Sequence, residues 1–210
     1  MSQAEKETAM DESALTPKQA RSRETQRKIL DATLALLEDR HFEAMTIADI
    51  AEAADMAVGN FYKRFKNKEG LLPHLYAEYN RRFGDFAQEI QSVQTADPWQ
   101  TLVKDTVAFF VANRGLIRAL HLHSRLNPAL VPPGSTKARQ GLYQALETLI
   151  SKPGLRADAQ RRRARTAAVV MVSVITEAVL YPDMTPFAAS GLTANQLAKE
   201  TAELLKCYCT

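Results

Sequence analysis

The sequence predicts an all-α protein of about nine helices. Apolar residues recur at helical spacing along most of the chain, capping residues precede these stretches, and no alternating run of strand length interrupts them. The chain has 210 residues, 46% hydrophobic and 24% charged, with a formal net charge of +3. This composition excludes a mostly disordered chain. The near-neutral total also excludes a uniformly basic nucleic-acid coat, while leaving room for a local basic face.

The first helix is predicted from residue 16 to about 40, after a polar tail over residues 1–15 that has little to bury. Thr16 suits the cap and Pro17 the first helical position. The apolar stripe that follows consists of Ile29, Leu30, Leu34, Leu36 and Leu37. We therefore expect a long amphipathic helix here.

Two short helices are predicted next. Thr46 opens the second helix, because Asp49 three residues later completes a capping box. Asp55 follows this helix at once, and a third short helix fits about Ala57–Phe65. Three helices within about fifty residues, the last two joined by a tight turn, are typical of a helix-turn-helix.

The remainder of the chain continues the helical pattern. Asn67 caps a fourth helix over about 68–92, and a fifth begins at Asp97–Pro98 and runs to about 113. The proline-rich stretch 127–134 predicts a loop. Helices at about 135–151, 158–181 and 194–208 complete the set, the last with Thr193 and Gln196 as a capping box.

Composition also limits the compartment and the cofactors. The two cysteines, Cys207 and Cys209, exclude a disulfide framework and a cysteine-rich zinc site. Residues 1–15 contain no apolar leader, and the longest apolar run, Ala167–Ile175, falls far short of the roughly 20 residues that span a bilayer. We expect a cytoplasmic protein with no membrane partner, no metal and no cofactor.

A family resemblance rests on two segments. Residues 44–54 read AMTIADIAEAA and residues 58–71 read VGNFYKRFKNKEGL, with several fixed spacings in agreement. Over residues 24–72 the chain resembles the TetR family of bacterial transcriptional regulators. The resemblance implies a helix-turn-helix DNA-binding domain over 16–66 and a helical effector-binding and dimerisation domain over 67–210, after a disordered tail over 1–15.

The chain departs from the family pattern at two positions. Asp55 stands where the family usually has Gly at the turn, and Asp tolerates the left-handed conformation better than most residues. Ala57 stands where the family favours Ser or Thr at the start of the recognition helix. Losing that cap costs about 1 kcal/mol unless Asp55 replaces it.

Side chains near the start of the third helix are the candidates for contact with base edges in the major groove. These are Ala57, Val58, Gly59, Asn60 and Lys63, the last of which can approach guanine or a phosphate. Thr46, Tyr62 and Lys68 are the candidates for phosphate contacts, and the resemblance implies this role for the tyrosine and the lysine. Two basic clusters, at residues 21–28 and 63–68, fit such a footprint, although most charge runs are simply solvated helix faces.

One recognition helix reads only a few base pairs, so we expect a two-fold dimer on a pseudo-palindromic operator in double-stranded DNA. The predicted homodimer interface lies on the last two long helices, which would form a four-helix bundle. Its candidates are Ala168, Val169, Val172, Ile175, Val179, Leu197, Thr201, Leu204 and Leu205. The alternative is that the first of these helices is the core of a monomer.

A pocket for a small-molecule effector of unknown identity is predicted among the middle helices, where aromatic and isolated polar residues coincide. Its candidates are Trp99, Phe109, Phe110, His121, Tyr143, Met171, Ser173, Thr176 and Glu177. Glu177 lies in an apolar run, where a buried carboxylate needs a cationic ligand, an arginine or a subunit interface. His121 and His123 point apart on a helix, so they favour no metal site.

The leading hypothesis is therefore a dimeric repressor that a small molecule releases from its operator through movement of the fourth helix. An architectural DNA-binding protein without an effector is the alternative from the same fold. An all-α enzyme is a third hypothesis, although the sequence lacks the nucleophile-elbow, P-loop, zinc-protease and dinucleotide motifs. The sequence does not distinguish repression from activation.

Overall fold

The structure is a computed structural model that describes residues 17–92, 95–132, 140, 157–183 and 186–209. Within these residues the chain is all-α, as the sequence predicts, with nine α-helices and no strand. The tail over 1–15, the cap at Thr16 and nearly all of the helix expected at 135–151 lie outside the described residues. No described helix is long and apolar enough to cross a membrane.

The chain divides into two compact units, Met1–His74 and Leu75–Thr210. The first unit ends at His74, whereas the sequence analysis expected its limit at residue 66. Local packing explains the extension, because the Phe65 and His74 rings meet edge to face with centroids 5.5 Å apart. His74 therefore belongs with the first unit.

The first unit contains three helices, α1 (Pro17–Asp39), α2 (Ile47–Ala53) and α3 (Val58–Tyr62). Helix α2 packs against both α1 and α3. Short 3₁₀ turns at Phe42–Ala44 and Lys68–Leu71 complete the unit, and Asn67 caps the second by accepting from Gly70 N–H. The core side chains, at most 1% exposed, are Ile29, Leu37, Phe42, Ile50, Ala51, Phe61, Leu71 and Leu72.

Helix α4 (Leu72–Ser92) contains the boundary between the units, and the second unit continues with α5 (Pro98–Ala112) and α6 (Arg114–Leu126). A single 3₁₀ turn follows at Pro128–Leu130. The predicted fifth helix ends where expected, at about residue 113. The sequence analysis predicted no helix between this end and the loop at 127–134, whereas the structure has α6 there. Asn113 marks that break, since its backbone leaves the helical conformation there.

The last three helices are α7 (Ala157–Leu180), α8 (Pro186–Ser190) and α9 (Ala194–Cys209). The short α8 was not predicted; it ends before Gly191, whose φ of 68° suits the left-handed residue after a helix. Thr193 and Gln196 form the predicted capping box of α9, with both reciprocal hydrogen bonds present. Helices α5, α7 and α9 pack together around the core of this unit.

Candidate nucleic-acid interface and cavity

The first turn of α3 is exposed and its last turn is anchored. Phe61 is fully buried and packs on Phe65, with ring centroids 5.4 Å apart. Ala57, Val58 and Gly59 are exposed by contrast. One aromatic side chain thus fixes the helix in the unit and leaves its opening residues available to an outside partner.

The turn between α2 and α3 has the conformation expected from its sequence. Asp55 has a φ of 51°, so it occupies the left-handed region that the family usually fills with Gly. Met56 N–H donates to the Ala51 carbonyl at 2.9 Å, which closes the turn. No side chain caps α3, however, because Ala57 has no hydroxyl and Asp55 does not replace it. Helix α3 is therefore held by packing.

Three candidate side chains on α3 and its C-terminal end remain outward-facing. Tyr62 is 56% exposed, and Lys63 is exposed beside it. Lys63 Nζ donates to Asn60 Oδ1 at 3.1 Å, so the Asn60 amide NH₂ points its donors elsewhere. Gly59 faces open space, since a Cβ built there meets nothing within 4 Å. The structure thus exposes Ala57, Val58, Gly59, Tyr62 and Lys63, with the half-buried Asn60 among them, and we call these residues the α3 surface.

Thr46 has a structural partner in the unbound chain. Its hydroxyl donates to Asp49 Oδ2 at 2.7 Å and accepts from Asp49 N–H at 3.1 Å, and its own N–H also donates to Asp49. These bonds hold the pKa of Asp49 below its usual range, first through the Thr46 hydroxyl and then through the Thr46 backbone. The donors that a phosphate would need are therefore engaged in starting α2.

Lys68 is also placed differently from the expectation. Its ammonium donates to the carbonyls of Phe42, Glu43 and Met45 at 2.7, 3.0 and 2.9 Å. It also lies 4.9 Å from the centre of the Phe42 ring. An ammonium has three donors, and all three are used on the segment that leads into α2. Lys68 thus stabilises the first unit through these hydrogen bonds. Sequence patterns did not predict this role, because the carbonyls lie more than twenty positions away along the chain.

A cavity of about 300 Å³ lies within the second unit between α4, α6 and α7. Five of the predicted effector-pocket residues line it: Phe110, His121, Ser173, Thr176 and Glu177. The sequence missed the contributions of α4 and of the end of α6, namely Tyr76, Tyr79, Phe83, Ile117, Leu120, Ser124 and Arg125. A Tyr–Phe stripe on α4 was visible in the sequence, but periodicity alone does not distinguish a cavity wall from core.

The other predicted pocket residues lie elsewhere. Trp99 and Met171 are 8% and 0% exposed and belong to the packed core. Phe109 stacks on Phe86 with ring centroids 4.6 Å apart, and Tyr143 lies outside the described residues. Glu177 is exposed and not buried, because it shares the outward face of α7 with Val169 and Ser173 at four-residue spacing.

The structure buries most of the predicted dimer residues inside a single chain. Ala168, Ile175, Val179, Thr201 and Leu205 are at most 7% exposed, since α5, α7 and α9 pack against one another. Val172 and Leu197 are half-buried. Val169 and Leu204 are 55% and 58% exposed, and Val169 also lines the cavity. Leu204 of α9 is therefore the clearest apolar candidate from that set for contact with a second copy.

A comparison with protein families decides the assignment of the first unit. Residues 29–75, which run from the core of α1 to the first turns of α4, match the model described as bacterial regulatory proteins, tetR family. The first unit therefore carries a TetR-family segment. The match contains α2, the turn at Asp55 and the α3 surface, so the family segment coincides with the geometry described above.

Two curated relatives share this segment with the chain. The HTH-type transcriptional regulator YvkB of Bacillus subtilis is 32% identical over 69 residues, which span 33% of this chain and 36% of YvkB. The HTH-type transcriptional repressor KstR of Mycolicibacterium smegmatis is 46% identical over 50 residues, or 24% of each chain. The chain thus spans about a third or less of these relatives' lengths.

The fold extends over more of the chain than the sequence match does. The transcriptional regulator FadR of Bacillus subtilis, solved in complex with stearoyl-CoA, superposes with a TM-score of 0.58 at 20% identity. The superposition covers 86% of this chain and 97% of FadR. The fold similarity to this regulator therefore includes the second unit as well as the first.

Proposed function

We propose that this chain is a sequence-specific DNA-binding transcriptional regulator, a homodimeric repressor that a small molecule releases from a pseudo-palindromic operator. The observation that carries the proposal is the exposed first turn of α3, which is anchored from behind by the fully buried Phe61. A helix presented in this way fits the major groove, where its opening residues meet base edges. Such a regulator acts where the bacterial chromosome is, in the cytoplasm.

The charge around α3 supports DNA as the partner. Lys63, Arg64 and Lys66 are exposed at the end of α3, and Arg21, Arg23, Arg27 and Lys28 are exposed on α1. Lys28 lies 3.4 Å from Glu24 across one helical turn, on the solvent-exposed surface. Cationic side chains of this kind release counterions from DNA when they approach phosphates, and they supply most of the non-specific affinity.

The cavity favours an effector over a purely architectural role. An architectural protein needs no internal space, whereas about 300 Å³ lined by aromatic and polar side chains falls in the size range of small-ligand sites. Helix α4 contributes Tyr76, Tyr79 and Phe83 to this cavity and begins in the first unit at Leu72. A ligand that changes α4 would act on a helix shared by both units. The chain carries no catalytic motif that favours an enzyme.

The test is a pair of variants on the α3 surface, measured on an operator found by genome-wide footprinting of the purified protein. Asn60→Ala removes a side chain that meets a base edge, so it should cost about 1–3 kcal/mol on the operator and relax preference at one position. Tyr62→Phe removes one phosphate donor and should weaken operator and scrambled DNA alike. Equal effects of the two variants on both DNAs would contradict the assignment.

A further inference from the structure

One end of the cavity carries an arginine held in place by a side-chain relay. Arg125 Nε donates to His121 Nε2 at 3.1 Å, and His121 Nδ1 lies 2.8 Å from the Tyr181 hydroxyl. Since a guanidinium only donates, Nε2 must accept, so the neutral imidazole carries its proton on Nδ1 and donates it to Tyr181. The relay therefore fixes both the histidine tautomer and the direction of Arg125.

This arrangement uses one nitrogen of the guanidinium and leaves the other two. The Nη1 and Nη2 groups of Arg125 carry the four remaining donors, in the planar fork that matches a carboxylate. Among the residues that the structure describes, no carboxylate lies within 4.0 Å of Arg125, including Glu177, which lines the same cavity. Arg125 is thus positioned at the cavity wall with no counter-ion among the described side chains.

Hydroxyl groups accompany this charge, and most of the remaining wall is apolar. Ser173 and Thr176 line the cavity, and no other described residue accepts or donates a hydrogen bond to their side chains. Thr176 is only 9% exposed, whereas Thr33 and Thr106, two of the other three buried threonines, donate to backbone carbonyls. The apolar wall comes from Tyr79, Phe83, Phe110, Ile117, Leu120 and Val172.

We propose that the cavity binds a monocarboxylic acid with an apolar body, its carboxylate on the Nη groups of Arg125 and its body against the aromatic wall. This rests on the proposed function, because it names the chemical class of the effector for that cavity. A volume of about 300 Å³ holds roughly ten to fifteen packed non-hydrogen atoms. His121 is a positioning residue in this site, since it acts on the ligand only through Arg125.

A cationic ligand on Glu177 is the competing chemistry, and the contacts favour the anion. Arg125 is held by the relay of His121 and Tyr181, whereas no described side chain holds the exposed carboxylate of Glu177. A carboxylate only accepts, so it matches the donors of Arg125, Ser173 and Thr176 at once. Glu177 then repels the ligand's charge from its own side of the cavity and orients it toward Arg125.

The experiment titrates the full-length protein with octanoate and 4-phenylbutanoate by calorimetry, beside octan-1-ol and octylammonium of similar size. Both carboxylates should bind at least tenfold more tightly than octan-1-ol and octylammonium. Arg125→Gln should weaken octanoate binding 10- to 100-fold, the range expected for a charge-assisted pair at a partly exposed site. Glu177→Gln removes the repelling carboxylate and should raise octanoate affinity a few-fold. Arg114→Gln is the matched control, because Arg114 is exposed on the same helix outside the cavity lining, and it should leave octanoate affinity unchanged.

Three results would overturn the assignment. These are no binding of either carboxylate at millimolar concentration, octanoate affinity that is the same in Arg125→Gln, or tight octylammonium binding that Glu177→Gln abolishes. Arg125 is exposed, so its substitution should not unfold the protein. Arg125→Lys checks this, because it keeps the charge without the planar fork and should recover part of the octanoate affinity.

A parallel measurement of operator affinity separates this inference from the proposed function. If octanoate binds through Arg125 but operator affinity does not change, the ligand class stands and effector control fails. If a neutral or cationic compound releases the operator instead, effector control stands and the carboxylate assignment fails.

Discussion

At the residue scale, two side chains on or near α3 distinguish a binding role from a folding role. Gly59 faces open space on the exposed surface, and its backbone is helical, so the fold itself does not need a glycine there. Lys68 gives all three ammonium donors to carbonyls of its own unit. Gly59 therefore indicates contact with a binding partner, whereas Lys68 stabilises the fold.

Gly59→Ala should stabilise the protein and weaken DNA binding. Alanine is favoured over glycine in a helix by about 0.5–1 kcal/mol, so the free energy of unfolding should rise by up to that amount. If DNA binds the α3 surface as proposed, the added methyl would meet it there and should cost about 1–3 kcal/mol of operator affinity. Urea denaturation and fluorescence anisotropy measure the two effects. If Gly59→Ala leaves operator affinity unchanged, DNA does not contact the protein at this position.

Lys68→Met should lower stability without changing the salt dependence of DNA binding. Losing hydrogen bonds from a charged donor costs about 1.5–3 kcal/mol in the free energy of unfolding. The exposed Lys63 is the matched control, because Lys63→Met should keep stability and reduce the slope of log K against log salt by about 0.9. A reduced slope with full stability in Lys68→Met would instead make Lys68 a phosphate contact.

At the element scale, the first turn of α4 places a titratable side chain, His74, against the core of the first unit. Burial lowers the pKa of His74 below its ordinary value of 6.5. Gln26 Nε2 lies 3.1 Å from His74 Nδ1, and its N–H donates to the neutral ring. The Phe65 ring closes the other side at 5.5 Å. Helix α1 and the segment after α3 thus both favour the uncharged imidazole.

Stability should therefore fall as the pH drops below about 6.5. The unfolded chain binds a proton on His74 more readily than the folded chain does, so acid favours unfolding, and the stabilisation is complete only above the unfolded pKa. His74→Gln should flatten the decrease in Tm between pH 7.5 and 5.5. The exposed His41 provides the control, His41→Gln, whose Tm profile should follow that of the unmodified protein. Identical profiles in all three proteins would contradict this role.

At the scale of the whole molecule, the last helix presents apolar side chains that are exposed within the described part of the chain. Leu204 and Tyr208, four residues apart on α9, are 58% and 45% exposed. Residues at this spacing share a face. The opposite face of α9 contributes Ala198, Ala202 and Leu205 to the core. A second copy of the chain is the partner that the proposed operator symmetry requires.

Leu204→Glu should dissociate the proposed homodimer while leaving the subunit folded. Burying a leucine contributes about 1.5 kcal/mol or more, and two-fold symmetry applies the loss twice, so the dimer Kd should rise about a hundredfold. Val111→Glu is the control, because Val111 is similarly exposed, at 59%, on α5. Sedimentation velocity over a concentration series measures both variants. Dissociation by Val111→Glu alone would move the interface to α5.

The sequence by itself determined the features that depend on neighbouring residues. The capping boxes at Thr46 and Thr193, the cap at Asn67 and the left-handed turn at Asp55 all follow from groups within three or four positions, where chain geometry dictates the contact. The short motif around α2 and α3 likewise identified the family.

Only the tertiary structure decided which faces are covered, because burial depends on residues distant in the chain. In the folded chain, Lys68 donates to carbonyls more than twenty positions away. Ile175 and Leu205 are buried within one subunit, whereas Glu177 is exposed. The tertiary structure also joined Arg125 to His121 and Tyr181 at a cavity wall. A helical stripe shows which residues share a face, whereas the neighbouring helices decide whether that face is core, cavity or surface.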